Sequence, residues 1–132
     1  MIRLILITFS FILLATSSQA DSYLLTTANK RLYKWDGTHL MTTANKRLYK
    51  WDGSYILSTT NKRLYKWDGS YLLTTANKRL YKWDGSYILS TANKRLYKIQ
   101  PPYIMDTNNK RLYKINGQIP IPILIALTMG LI

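Results

Sequence analysis

The sequence predicts an all-β fold, in which tandem 16-residue β-hairpin repeats form an up-and-down antiparallel meander as a coiled, open or propeller-like sheet. Three observations predict it. The hexapeptide Asn-Lys-Arg-Leu-Tyr-Lys begins at Asn29, Asn45, Asn61, Asn77, Asn93 and Asn109, always 16 residues apart and with no insertion in six copies. Each unit carries two turn signals. The stretches between them are short and rich in Tyr, Ile, Leu, Thr and Trp, which suit strands. A strict period of this kind means that each copy is one supersecondary unit stacked on its neighbours.

Residues 1–20 come first and read as a signal peptide. Arg3 gives a positive start, Leu4 to Ala15 an apolar run, and Ser18-Gln19-Ala20 a small-x-small cleavage site before Asp21. The mature chain is therefore expected to be secreted and extracellular. With no cysteine among 132 residues, disulfides cannot staple it.

The repeats occupy residues 21–117. Asp36-Gly37, Asp52-Gly53, Asp68-Gly69 and Asp84-Gly85 are two-residue hairpin signals, since both positions tolerate positive φ. Ala44-Asn45, Thr60-Asn61 and their equivalents form the second turn, with Asn suited to the left-handed region. A two-residue loop at Asp52-Gly53 sets a register of Trp51 with Ser54, Lys50 with Tyr55, Tyr49 with Ile56 and Leu48 with Leu57. Trp51, Tyr49 and Ile56 then share one face; Leu48, Leu57, Tyr55 and Lys50 share the other. With apolar residues central on both faces, the sheet is expected to coil, sandwich or self-associate, because a flat monomer leaves apolar surface and two open edges.

The last two copies depart from the pattern. Ile99 and Ile115 replace Trp, and Gln100-Pro101 replaces Asp-Gly. Pro101 and Pro102 cannot donate to a ladder, so the sheet is expected to weaken or break there. Asn116-Gly117 restores the turn signal. Residues 118–132 form an apolar tail, with Pro120 and Pro122 inside it. Residues 119–132 are short for a membrane span, and a packing or assembly role is preferred to membrane attachment.

Catalysis has little to work with. There is no Cys and no Glu, and the only His, His39, stands where other copies have Tyr. The Asp residues come one per turn and do not cluster, so neither a metal nor another cofactor is expected. The chain is expected not to be an enzyme.

Charge placement says more. The formal net charge is +13, and apart from Arg3 the excess resides in six Lys-Arg pairs, because the Lys that follows Tyr in each copy is offset by six Asp. Those pairs flank the Asn turns and would make a basic rim along one edge of the sheet. With Trp35, Trp51, Trp67 and Trp83 as stacking platforms, Arg31, Arg47, Arg63 and Arg79 could bind carboxylate or sulfate groups, which suits anionic or carbohydrate extracellular ligands. Export argues against a nucleic-acid partner despite the basic, aromatic composition.

The segments Tyr87-Ile88-Leu89-Ser90-Thr91-Ala92-Asn93-Lys94-Arg95-Leu96-Tyr97-Lys98 and Leu80-Tyr81-Lys82-Trp83-Asp84-Gly85 resemble inner hairpins of β-propeller blades. The Trp-Asp ending is similar to that of WD repeats, and Thr-Ala-Asn followed by Trp-Asp-Gly resembles hairpins of small fucose-binding propeller lectins. The resemblance covers about twelve to fifteen residues per unit and implies a binding role for the aromatic and Arg side chains. Twelve strands would make three four-stranded blades, so propeller closure would require oligomerisation.

A second resemblance leads elsewhere. A signal peptide followed by evenly spaced dibasic pairs is similar to multi-copy secretory peptide precursors cut after Lys-Arg by kexin-type proteases. The sites would be Arg31, Arg47, Arg63, Arg79, Arg95 and Arg111. Two expectations result: a secreted binding or matrix protein, which strand length and turn spacing favour, and a processed peptide precursor.

Overall fold

The computed structural model describes residues 20–132; the expected signal peptide, but for Ala20, lies outside the described residues. Twelve antiparallel strands follow one another: β1 (Ser22–Thr26), β2 (Arg31–Trp35), β3 (His39–Met41), β4 (Arg47–Trp51), β5 (Tyr55–Ser58) and β6 (Arg63–Trp67). The second half repeats the pattern with β7 (Tyr71–Thr74), β8 (Arg79–Trp83), β9 (Tyr87–Leu89), β10 (Arg95–Gln100), β11 (Tyr103–Met105) and β12 (Arg111–Asn116). A single helix, α1 (Ile121–Thr128), ends the chain.

Each strand pairs with its neighbours in sequence, and β1 pairs with β12 to close a barrel. The sheet is thus neither open nor propeller-like. The seam joins Leu24 to Ile115, Leu25 to Lys114 and Thr26 to Tyr113. This is the register of an internal hairpin, where Ile56 meets Trp51, Leu57 meets Lys50 and Ser58 meets Tyr49. One chain therefore closes without partners. The open edges that predicted self-association do not exist.

Local chemistry dictates both turns. At the Asn turn, Ser58 N–H donates to the Lys62 carbonyl at 2.9 Å and Asn61 N–H to the Ser58 carbonyl at 2.9 Å. Asn61 takes φ 66°, as do its five equivalents between 65° and 70°, the left-handed position of a three-residue loop with a bulge. The Ser58 hydroxyl accepts from Lys62 N–H at 3.1 Å, and Thr26, Thr42, Thr74, Ser90 and Asp106 do the same in their copies. That is why this position is always Ser, Thr or Asp.

At the other turn the sequence register needs correction. Asp52 N–H donates to the Tyr55 carbonyl at 3.2 Å, so the tip is Gly53-Ser54 rather than Asp52-Gly53. Only the glycine has positive φ, 97° at Gly53. The Asp52 carboxylate instead caps the turn, accepting from Ser54 N–H at 2.9 Å and Tyr55 N–H at 2.7 Å. The partner of Trp51 moves from Ser54 to Ile56, two residues along, so every side chain keeps its expected face.

Leu48 is the exception. Leu40 faces Tyr49 while Met41 faces Arg47, which leaves Leu48 in a bulge. Leu57 lies opposite Lys50 and Arg63, not Leu48. The outer wall therefore has no continuous leucine row. It has Leu and Met residues, 6–8 % exposed, set between Lys and Arg whose aliphatic stems flank them.

Pro101 and Pro102 do not break the sheet. They form the loop between Gln100 and Tyr103, which face each other, and Ile99 faces Ile104 in the usual register. Their peptide bond is cis. No ladder donor is lost, because the tip of this turn needs none.

The inner wall carries Tyr, Trp and one Leu or Ile per unit, and a barrel of twelve strands is too wide for these to fill. The tail fills it. Leu40, Ile56, Leu72, Ile88 and Ile104 are fully buried around Ile123, Ile125 and Ala126 of α1. A helix apolar on all sides belongs in such a place. Gly130 at φ 73° ends it, with Leu131 N–H donating to the Ala126 carbonyl at 2.8 Å and Gly130 N–H to that of Leu127 at 3.2 Å. The tail packs inside the barrel, and no helix among the described residues is long and apolar enough to cross a membrane. Ser22, the one buried polar or charged residue among the described residues, accepts from Gln118 N–H at 2.9 Å where the tail turns inward. A Cβ on Gly117 would run into it.

Replacing the lumenal Ile125 by Ala should cost about 2–5 kcal/mol in urea unfolding. Gly117→Ala should destabilise through the seam, whereas Gly53→Ala, with open space around its Cβ position, should cost only the strain of positive φ.

Candidate binding surface

Alternation along the strands sorts the expected site residues onto two faces. Trp35, Trp51, Trp67 and Trp83 point into the barrel at the end where the Asp-Gly turns lie. Trp35 is 4 % exposed, and the other three are half-buried along the rim. Arg31, Arg47, Arg63 and Arg79 lie on the outer wall toward the opposite end, all exposed. The sheet stands between the two sets. The wall therefore does not bring these Trp and Arg residues together.

A different aromatic partner holds the arginines. The guanidinium of Arg63 lies 4.2 Å from the ring centroid of Tyr55, and that of Arg79 4.2 Å from Tyr71. Arg95 sits over Tyr87 at 4.2 Å, while Arg31 over Tyr23 and Arg111 over Tyr103 are at 4.0 Å. Stacking occupies one face of each guanidinium and leaves its N–H edge free for an oxygen anion. The sixth position holds His39 beside Arg47. Its Nδ1 is 4.0 Å from Asp36 Oδ2. Burial and then the nearby Arg47 lower its pKa, and the attraction of Asp36 only partly offsets them. Sequence reading missed these stacks because the bulge that brings Arg63 beside Tyr55 is invisible in a simple alternation.

The remaining cations are arranged with equal regularity. Lys34 Nζ donates to Asn45 Oδ1 at 2.8 Å, Lys66 to Asn77 at 3.3 Å and Lys82 to Asn93 at 3.4 Å, each reaching the Asn of the following copy. Lys114 reaches Asn29 across the seam at 3.3 Å. Among the described residues, Lys34 with Asp21 at 3.2 Å is the one Lys or Arg ion pair within 4.0 Å. The Lys-Arg pairs thus ring the outer wall without acidic partners.

All the carboxylates but that of Asp106, which caps an Asn turn, gather at the other end. Asp52 and Asp68 are desolvated, which raises their pKa, but two backbone N–H donors and the nearby Arg and Lys outweigh this and lower it. For Asp84 the Tyr87 N–H bond dominates, again downward. A cavity of about 690 Å³ opens at this end between Trp35, Trp51, Pro101 and the tail segment Gln118 to Ile121. No group of three His, Cys, Asp or Glu side chains able to hold a metal occurs among the described residues.

Comparison with protein-family models, with curated proteins and with solved structures finds no match for this chain.

Acidification should destabilise the barrel in two windows. The lowered pKa of His39 means the unfolded chain takes up its proton first, so stability falls as pH drops through the ordinary value of 6.5. The Asp contribution is present above the ordinary 3.8 and is lost as pH falls through the lower native value. His39→Tyr should remove the first loss and add a sixth stack, raising stability by about 0.5–1 kcal/mol at pH 7; urea midpoints across pH measure both effects.

Proposed function

We propose that this chain is a secreted, non-enzymatic binding protein for anionic extracellular ligands, acidic polysaccharides foremost. The observation that supports it is the ring of exposed Arg side chains stacked on outward Tyr rings at 4.0–4.2 Å, repeated around a closed wall. Each stack offers one oriented guanidinium for a carboxylate or sulfate. A single site of this kind is weak, but a linear polyanion meets several in succession, and effective concentration multiplies their affinities. The Tyr edges beside each Arg add apolar surface for sugar rings. In this reading the outer wall, and not the Trp residues, carries the contact.

The exposure of all six Lys-Arg pairs favours a second reading, a precursor cut after Arg31, Arg47, Arg63, Arg79, Arg95 and Arg111. Each of these residues begins a strand, and Arg63 faces Leu57 in the ladder. A protease must open the wall locally before it can seat an extended substrate. Mass spectrometry of the natural secreted material separates the two: an intact mature chain supports the binding protein, and short peptides ending at the basic pairs support the precursor.

The binding reading predicts retention on immobilised heparin, used as a model sulfated polysaccharide, that falls steeply with salt. Arg63→Ala, Arg79→Ala and Arg95→Ala combined should weaken binding at least about tenfold and flatten the salt dependence. Trp67→Phe should leave heparin affinity unchanged.

A further inference from the structure

The Asp residues of the Asp-Gly turns lie at one end of the barrel and the six turn lysines at the other, and both recur with the same period; Asp106, at an Asn turn, is the exception. At one end Asp52, Asp68 and Asp84 stand exposed at three consecutive hairpin tips. Each caps its turn through Oδ1, the oxygen that takes both backbone N–H donors, so Oδ2 remains for an outside partner. Trp51, Trp67 and Trp83 are half-buried on the inner rim of the same three hairpins. Indole faces and carboxylates both select cations. The rest of this mouth holds Gln100, Pro101, Asn116 and the incoming tail, with Asp36 beside His39 and Asp21 paired to Lys34, so Asp52, Asp68 and Asp84 with their Trp rings form an arc.

At the other end each Asn turn presents an exposed Lys: Lys30, Lys46, Lys62, Lys78, Lys94 and Lys110. These lysines recur once per hairpin around the same wall as the aspartates do. Adjacent strands lie about 4.8 Å apart, so successive charges at either end are about 10 Å apart. Two copies placed end to end therefore offer equally spaced carboxylates and ammonium groups.

We propose that the Asp-Trp arc of one barrel docks on the Lys rim of a second copy, head to tail. Such a contact uses different patches on the two partners, so it does not close on itself and grows into columns. The outer Arg ring stays free along the column, which would extend the polyanion-binding wall from one barrel to the next. The proposal does not depend on that binding function.

Sedimentation velocity tests it. In about 0.15 M salt the wild-type chain should form species larger than monomer as concentration rises, and these should dissolve in about 1 M salt, where the screening length is about 3 Å. Asp52→Asn, Asp68→Asn and Asp84→Asn combined keep an Oδ1 acceptor for each turn and should leave the chain monomeric. Replacing the six turn lysines by Gln should do the same, and these exposed positions spare the fold if the Asp variant loses its near-ultraviolet tryptophan signal. Mixing the two variants should restore one contact only, giving a heterodimer that grows no further. A wild-type chain that stays monomeric, or a mixture with no heterodimer, overturns the proposal. The Asp variant should still bind heparin, so loss of association and loss of polyanion binding are read separately.

Discussion

The pairing of β12 with β1 is the constraint on which the rest of this structure depends. An array of two-stranded units left open would expose a row of unpaired N–H and C=O groups at each end and an apolar inner face along its length. Closure removes both problems at once. It needs no special sequence, because Ser22–Thr26 is an ordinary first half-unit and Arg111–Asn116 an ordinary second half. The seam repeats the internal register, Leu24 to Ile115 as Ile56 to Trp51. What is particular to the seam is Ser22, set under Gly117 with its hydroxyl accepting from Gln118 N–H; Lys114 reaching Asn29 repeats the internal Lys-to-Asn bond.

Closure creates the need for the tail. Six units give twelve strands, and a barrel of that size has a lumen that wall side chains cannot fill. Ile121–Thr128 supplies the missing volume as a helix with no polar face. This also accounts for the atypical copies. Ile99 and Ile115 are smaller than the Trp they replace and are buried within the group that includes the tail, while Trp51, Trp67 and Trp83 pack against that group and stay half-buried. The irregularities Pro101 and Ile115 gather where the tail enters.

Much of this fold was legible in the sequence. The 16-residue period, the strand positions, the left-handed Asn and the sorting of Trp51, Tyr49 and Ile56 onto one face all follow from spacing and turn chemistry. Faces survived an error in register because the partner of Trp51 moved by two residues and not one. The closure was not legible, since it depends on the twist and tilt accumulated over twelve strands. Nor was the Arg ring. Arg63 meets Tyr55 only because Leu64 is bulged out of the ladder, and no local preference at Leu64 announces that bulge. The expected site set Arg near a face of Trp, and Arg63 and Trp67 are four residues apart. In a strand with one bulge between them, those two residues lie on opposite faces.

The bulge also links the fold to the choice between holding the Lys-Arg pairs and cutting them. In an open array the terminal units fray, and a site near an end is cleaved from the frayed state. A closed barrel has no terminal unit. Freeing any one strand breaks two ladders and uncovers the lumen around α1, so cutting at any of the six Arg-Leu bonds requires the wall to be disturbed first. The same closure gives every Arg-Tyr stack an equivalent place on one wall. Identical copies confer little on a precursor that is destroyed when it is processed, beyond the number of peptides released. On an intact ring they set evenly spaced charges in one fixed geometry, which is what the proposed binding of a repeating anionic polymer requires.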